Sequence, residues 1–371
     1  MKIALAIPYN PLEEVGGLEL GTIRLARALQ EMGNTVRVVT KGQTGQYQNV
    51  DILGFPSFPA ICQFLVGSEA DFDVIHWLEI FPDPGEIELQ GMVSGILRSL
   101  GKTVVLMVAT SGNLKTRGSG KVATPLIQTT MDAYVISNPG QREEFAEAGI
   151  TANIYDFGLG IDTRNEFTPV SSDQVESIRR ELDLPQNAVI CLYIGRFVER
   201  KRPDFLLKAW QSLSDLYDKV CLVVVGSGMG QDDSIEDSVK QLEEQSTGVI
   251  LRDVTSLPHL YYQASDIILL PSSREGQPNV LLEAMACGKV VVGSAIPGIQ
   301  EMLINEETGL SFPPDDLGQF ESAIRRLVSS PELRRILGIQ AREEVTSKKD
   351  VQDVAKQYVR LYNELRKEET K

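Results

Sequence analysis

The stretch Ile267-Ile268-Leu269-Leu270-Pro271-Ser272-Ser273-Arg274-Glu275-Gly276-Gln277-Pro278-Asn279-Val280-Leu281-Leu282-Glu283-Ala284-Met285-Ala286-Cys287-Gly288 decides the fold. Its opening Ile/Leu run reads as a buried strand ending at Leu270. A turn follows, and a helix begins around Pro278, where proline suits the first turn. Gly288 is a natural C-terminal stop, and Val290–Gly293 reads as the next strand. Strand, turn, helix and strand in this order form one βαβ unit.

Outward from this unit the same alternation fills the chain. The first half has strand-like runs at Lys2–Ile7, Thr35–Thr40, Val74–Trp77, Thr103–Ala109 and Ala133–Ser137. The second has them at Ala188–Ile194, Val220–Gly226, Gly248–Leu251, Ile267–Leu270 and Val290–Gly293. Amphipathic stretches such as Leu18–Met32 and Pro203–Leu216 lie between them. The rhythm implies an α/β protein with an open, doubly wound sheet in each half. Glycines, Pro169 and paired serines interrupt it at Phe157–Ser172, so the expected domains are 1–165 and 166–350. The tail 351–371 reads as a helix over Val351 to Lys367, with Val354, Tyr358, Leu361, Tyr362 and Leu365 on one face. It is expected to pack back on the first domain. Ligands of such sheets bind at the carboxyl ends of strands, and two sheets facing each other across a cleft would share one site.

With 371 residues, the chain is long enough for two cores of ordinary size. Its net charge of −15, from 36 basic and 51 acidic residues, argues against a general nucleic-acid binder. It equally argues against broad docking on an anionic membrane, leaving peripheral contact at most. Cys62, Cys191, Cys221 and Cys287 are widely spaced, form no metal pattern and read as buried thiols in a reducing compartment. The first residues hold too short an apolar run for a signal peptide. No run approaches the roughly 20 apolar residues of a membrane span. A cytoplasmic location follows as the expectation, extending to the inner face of the membrane.

The chemistry concentrates in three loops at strand ends. In the first, Gly276 lets backbone approach a ligand closely, and the amides opening the helix at Pro278 suit a phosphate. Glu275 before the helix and Glu283 inside it flank that position with carboxylates, each able to accept from two hydroxyls. The second is Gly195-Arg196-Phe197-Val198-Glu199-Arg200-Lys201-Arg202-Pro203 after the first strand of the second half. Its Arg196 and Lys201 are spaced to converge on a diphosphate. The third, Glu14-Val15-Gly16-Gly17-Leu18-Glu19, has glycines that let a backbone loop reach toward phosphates. The plain alternatives are a surface turn with a helix-dipole Glu, surface charges before a helix, and a tight turn.

Glu275 and Glu283, in the setting PSSREGQPNVLLEAMACGKVVVGSAIPG, resemble the Glu-x7-Glu motif of retaining nucleotide-sugar glycosyltransferases of group 1, family 4 type. The resemblance covers nearly the whole chain. It implies the GT-B fold, two Rossmann-like domains facing each other across a cleft, and a hexosyltransferase acting with retention and without a metal or other cofactor. It implies that Glu275 takes the donor sugar and Glu283 the ribose. Gly16 and Gly17, with Gly276, Gln277, Pro278, Asn279, Val280 and Leu281, would line the sugar and diphosphate. Arg196 and Lys201 would neutralise the leaving nucleotide. Arg202 stands where relatives have glycine, adding a charge nearby. Arg252 stands where they commonly have glycine in the base-binding loop, and the base is expected near Leu251–Val254, through backbone contacts.

Relatives often carry a histidine after a central strand of the first domain. This chain has Thr110, Ser111 and Asn113 there, and its histidines are His76 and His259. Lys115, Arg117 and Lys121 on the same glycine-rich loop suggest an anionic acceptor, such as a lipid diphosphate or acidic glycan, against the alternative of a solvated loop. Asp73-Val74-Ile75-His76 resembles the family's strand in which the histidine is structural. Asp71-Phe72-Asp73 has metal-binding spacing but precedes its strand, at the wrong end for the site. The expected partners are a nucleotide-sugar donor, UDP-glucose before GDP-mannose, and a glycan or lipid-linked acceptor of envelope or exopolysaccharide synthesis. The rivals are a sugar-nucleotide epimerase, a phosphorylase and a catalytically weak nucleotide-sugar-binding protein.

Overall fold

The computed structural model describes residues 1–13, 16–109, 124–227, 234–245 and 248–368. The chain divides into two compact units, Met1–Gly160 with Lys349–Lys371, and Ile161–Lys348.

In the first unit the order is β1 (Lys2–Ala6), α1 (Gly17–Glu31), β2 (Thr35–Lys41), β3 (Gly45–Tyr47), β4 (Val50–Phe55), α2 (Phe58–Val66), β5 (Val74–Trp77), α3 (Pro84–Ser99), β6 (Thr103–Val108), α4 (Thr124–Thr130), β7 (Ala133–Ile136), α5 (Gln141–Glu147) and β8 (Ile154–Asp156). The sheet order is β3-β4-β2-β1-β5-β6-β7-β8. Every strand pairing is parallel except β3 with β4. The β3–β4 hairpin, absent from the sequence reading, turns through Gln48 (φ 47°) and Asn49 (φ 66°). Positive φ at both loop positions suits the right-handed strand twist. Strand order reverses direction between β1 and β5.

The second unit runs α6 (Ser172–Glu181), β9 (Val189–Ile194), α7 (Pro203–Gln211), β10 (Val220–Val225), α8 (Ser234–Glu244), β11 (Val249–Arg252), α9 (Pro258–Ala264), β12 (Ile267–Leu270), α10 (Asn279–Ala286), β13 (Val290–Ser294), α11 (Pro297–Gln300), β14 (Leu310–Phe312), α12 (Leu317–Ser329) and α13 (Pro331–Lys349). Its sheet order is β11-β10-β9-β12-β13-β14, parallel throughout. Strands β10 and β12 are wholly buried, as their unbroken apolar runs require. Order reverses between β9 and β12, which opens a crevice beyond their carboxyl ends.

α14 (Val351–Glu368) returns to the first unit. Its Val354, Tyr358, Leu361 and Tyr362 join the core formed by Ile3, Leu5, Val105 and Val135. The Tyr358 hydroxyl donates to the Gly158 carbonyl at 2.7 Å. Gly160 (φ 75°) lies so near that a Cβ there would sit 2.8 Å from the Val351 Cα. The first crossing therefore falls at 160/161 rather than at 165/166, because the positive-φ glycines 158 and 160 turn the chain. Among the described residues, no helix is long and apolar enough to cross a membrane.

Candidate active site

The loops after β9 and β12 meet at the reversal point of the second sheet. Gly195 (φ 152°) follows β9 and Gly226 (φ 148°) follows β10. A Cβ on Gly226 would lie 2.0 Å from the Gly195 carbonyl oxygen, so only glycine lets these strand ends close together. The chain then runs past the exposed Arg196 into a 3-10 turn, Glu199–Lys201.

That turn delivers two cations to one buried carboxylate. Lys201 Nζ donates to Glu275 Oε1 at 2.6 Å, and Arg200 Nη1 to Oε2 at 3.3 Å. The backbone ties the same loops, since Ser273 N–H donates to the Arg200 carbonyl at 2.8 Å. Glu275 is 8% exposed. Burial alone would raise its pKa, but the charge and hydrogen bond of Lys201, aided by Arg200, outweigh it and hold the carboxyl below its usual range. Two cations around one carboxylate leave the trio net positive, a setting suited to an anionic ligand.

Arg202 differs from its sequence reading. Its φ of 54° and ψ of 50° lie in the left-handed region, which explains a glycine preference there. Its guanidinium stands 4.6 Å over the Phe205 ring and 2.5 Å from Asp315. The charge is thus directed to a surface aspartate rather than added to the cluster.

Beyond Glu275, Pro278 occupies the cap position rather than the first turn, and α10 begins at Asn279 without a side-chain cap. The Leu281 N–H donates to the Pro278 carbonyl at 2.9 Å, so from there the amides belong to the helix. Gly276, Gln277, Asn279 and Val280 are partly exposed along this entry. At the far end, Gly288 (φ 68°) donates to the Met285 carbonyl and Lys289 to that of Ala284, the paired bonds of a Schellman cap. Gly298 on α11 supports the loop from behind, since a Cβ there would lie 2.4 Å from the Glu275 carbonyl oxygen. Glu283, 6% exposed, accepts from the Tyr262 hydroxyl at 2.8 Å.

Arg252 ends β11, but its guanidinium donates to the carbonyls of Leu251 (2.9 Å), Leu182 and Asp183 (both 3.4 Å). It caps the chain after α6, which leaves the β11 end to offer backbone.

Residues 174–344 match the family described as glycosyl transferases group 1. The chain carries a group 1 glycosyltransferase domain. The chain is 26% identical over 387 residues to D-inositol 3-phosphate glycosyltransferase of Corynebacterium urealyticum, covering 96% of this chain and 89% of that one. Its fold is that of sucrose-phosphate synthase from Thermosynechococcus elongatus, with TM-score 0.79, 22% identity and 98% of each chain covered. It is also that of Anabaena HepE, solved in complex with UDP-glucose, with TM-score 0.79, 18% identity and 98% and 100% covered. The two parallel-sheet domains are those of GT-B glycosyltransferases.

In the first unit, Gly16 caps α1 and Gly17 opens it. A Cβ on Gly16 would lie 2.5 Å from a Glu19 carboxylate oxygen. Thr110, Ser111, Asn113, Lys115, Arg117 and Lys121 lie outside the described residues. His76 is wholly buried on β5, its Nδ1 2.7 Å from the Tyr362 hydroxyl, and burial pushes its pKa down to about 3. Asp73 is taken by Lys2 N–H (2.8 Å) and Arg366 (3.0 Å), and Asp71 by the Lys2 ammonium. Among the described residues no His, Cys, Asp and Glu cluster is placed to hold a metal. All four cysteines are buried free thiols. Sequence reading missed Arg200, Tyr262, Gly226 and Gly298. The last two carry a signal, a glycine ending a Val run and a Pro-Gly opening a helix; the first two carry none.

Proposed function

We propose that this glycosyltransferase moves a hexose, with retention, from a UDP-sugar to a glycan or lipid-linked acceptor, UDP-glucose being the first donor to test. The convergence of Lys201 and Arg200 on Glu275, at the reversal point of the second sheet, carries the reading. HepE, with the same fold, was solved with UDP-glucose. In this reading Glu275 receives the donor sugar, Glu283 the ribose, and the loop from Gly276 to Leu281 lines the diphosphate. As the bond from the anomeric carbon to the phosphate oxygen breaks, Arg196 and Lys201 stabilise the leaving charge. The acceptor oxygen bonds to the same carbon on the same face, and its proton passes to the departing phosphate. These cations assume the part a metal plays elsewhere, so turnover is expected to survive EDTA.

The test is a thermal-shift screen of UDP-, GDP- and ADP-sugars followed by product analysis with glycan, lipid-linked and inositol phosphate acceptors. The right donor at 100 times its Kd adds about 2.7 kcal/mol of stability. Stabilisation by GDP-mannose alone would replace the donor, while sugar release by none of them would leave a binding protein.

A further inference from the structure

Tyr262 lies on α9, wholly buried, with its ring edge-on to Phe167 at 5.9 Å between centroids. Its hydroxyl donates to Oε2 of Glu283 at 2.8 Å, and Glu283 is itself buried. Each group makes a demand on the other: a hydroxyl in a core must find an acceptor, and a buried carboxylate needs donors. A phenylalanine and an aliphatic side chain would fill the same space with neither demand, and such exchanges are often neutral or stabilising. Packing alone does not require the pair, whereas a ligand-binding task for Glu283 would.

We propose that Tyr262 is a positioning residue for ribose recognition. By donating to Oε2 it fixes the rotation of the Glu283 carboxylate, so that the vicinal hydroxyls of a ribonucleotide meet acceptors already aligned. The inference rests on the reading of Glu283 as the ribose contact. A carboxylate free to rotate would lose part of its binding energy in being ordered at each encounter. The tyrosine removes that cost, and its effect is confined to ligands that carry the ribose hydroxyls.

The test compares binding of UDP and of 2′,3′-dideoxyuridine diphosphate to the full chain by calorimetry, with the guanosine and adenosine pairs run in parallel. Wild-type protein, Tyr262→Phe and Glu283→Ala are compared. Wild type is expected to prefer the ribonucleotide, and Glu283→Ala to lose that preference. Tyr262→Phe, which keeps the ring, is expected to weaken the ribonucleotide about tenfold and to leave the dideoxy compound nearly unchanged. In turnover it raises the donor KM more than it lowers kcat. Equal weakening of both nucleotides by Tyr262→Phe, with Glu283→Ala behaving as expected, would overturn the inference alone. A preference that survives Glu283→Ala removes the ribose assignment and the inference with it.

Discussion

Lys201 Nζ lies 2.6 Å from Oε1 of Glu275 across 74 positions of sequence. The pair joins the loops following β9 and β12, neighbours in the sheet whose connections leave in opposite directions. It is largely buried, with side-chain exposures of 13% for Lys201 and 5% for Glu275. A pair so placed restricts both loops and couples the state of one to the other.

That coupling gives opposite outcomes for stability and turnover. Lys201→Ala leaves the buried carboxylate with Arg200 as its remaining cationic partner, a loss at the low end of the about 3–5 kcal/mol typical of a broken buried pair. Glu275→Gln keeps the shape and removes the charge, so the double variant should regain stability relative to Lys201→Ala. Turnover should fall about 10²–10³-fold in either single variant and not recover in the double. Thermal melts and donor-sugar transfer rates on the four proteins complete the cycle, and strictly additive melting losses would show that the pair carries no coupling.

His76 sets a second measurable dependence. Its pKa of about 3 in the fold lies below the ordinary 6.5, because burial excludes the charged ring. Between these values the unfolded chain binds a proton that the folded one does not. Stability is therefore complete above the ordinary value and erodes as pH falls toward the lower one. Urea unfolding of wild type and His76→Phe across that window checks this. The wild-type curve should fall more steeply with acid, and parallel curves would assign the acid loss elsewhere.

How much of this was legible can be judged from particular positions. The strands β9, β10, β12 and β13 announced themselves because strands covered on both faces must be nearly all apolar. Glu275, Glu283 and Lys201 stood out through glycines and charges at strand ends. The β3–β4 hairpin stayed hidden because Gln48-Asn49 is a weak turn signal beside Asn-Gly. Tyr262 and Arg200 were unreadable for another reason. A tyrosine in an apolar helix looks like core and one arginine in a basic run like its neighbours, until tertiary structure brings a carboxylate beside each. Arg252 shows the converse, a charge at a strand end whose partners are carbonyls after α6.

Arg202 tests whether backbone or side chain governs its loop. A side chain in the left-handed region costs about 1 kcal/mol relative to glycine. Against this stand the cation over Phe205, worth about 0.5–1 kcal/mol, and a pair with exposed Asp315, worth little. The terms nearly cancel, so Arg202→Gly should leave stability almost unchanged. Arg202→Ala keeps the strain and loses both contacts, so it should be less stable than Arg202→Gly by about 1 kcal/mol. Chemical denaturation resolves the order, and an alanine variant at least as stable as the glycine one would refute the strain argument.

Gly298 should matter more to turnover than to folding. A Cβ there would stand 2.4 Å from the Glu275 carbonyl oxygen and 2.8 Å from that of Gly276, too close for any real contact. Both atoms belong to a loop rather than to the sheet, so the strain of Gly298→Ala is relieved by moving the loop. Glu275 would be displaced relative to Lys201, and misplacement by about 1 Å can cost roughly 10²-fold in rate. The loss of stability should stay within the about 1–3 kcal/mol of an overpacked site. Steady-state kinetics beside thermal melts separate the two effects. Turnover near wild type in a Gly298→Ala protein that melts several degrees lower would mean that the sheet, not the loop, absorbs the added methyl.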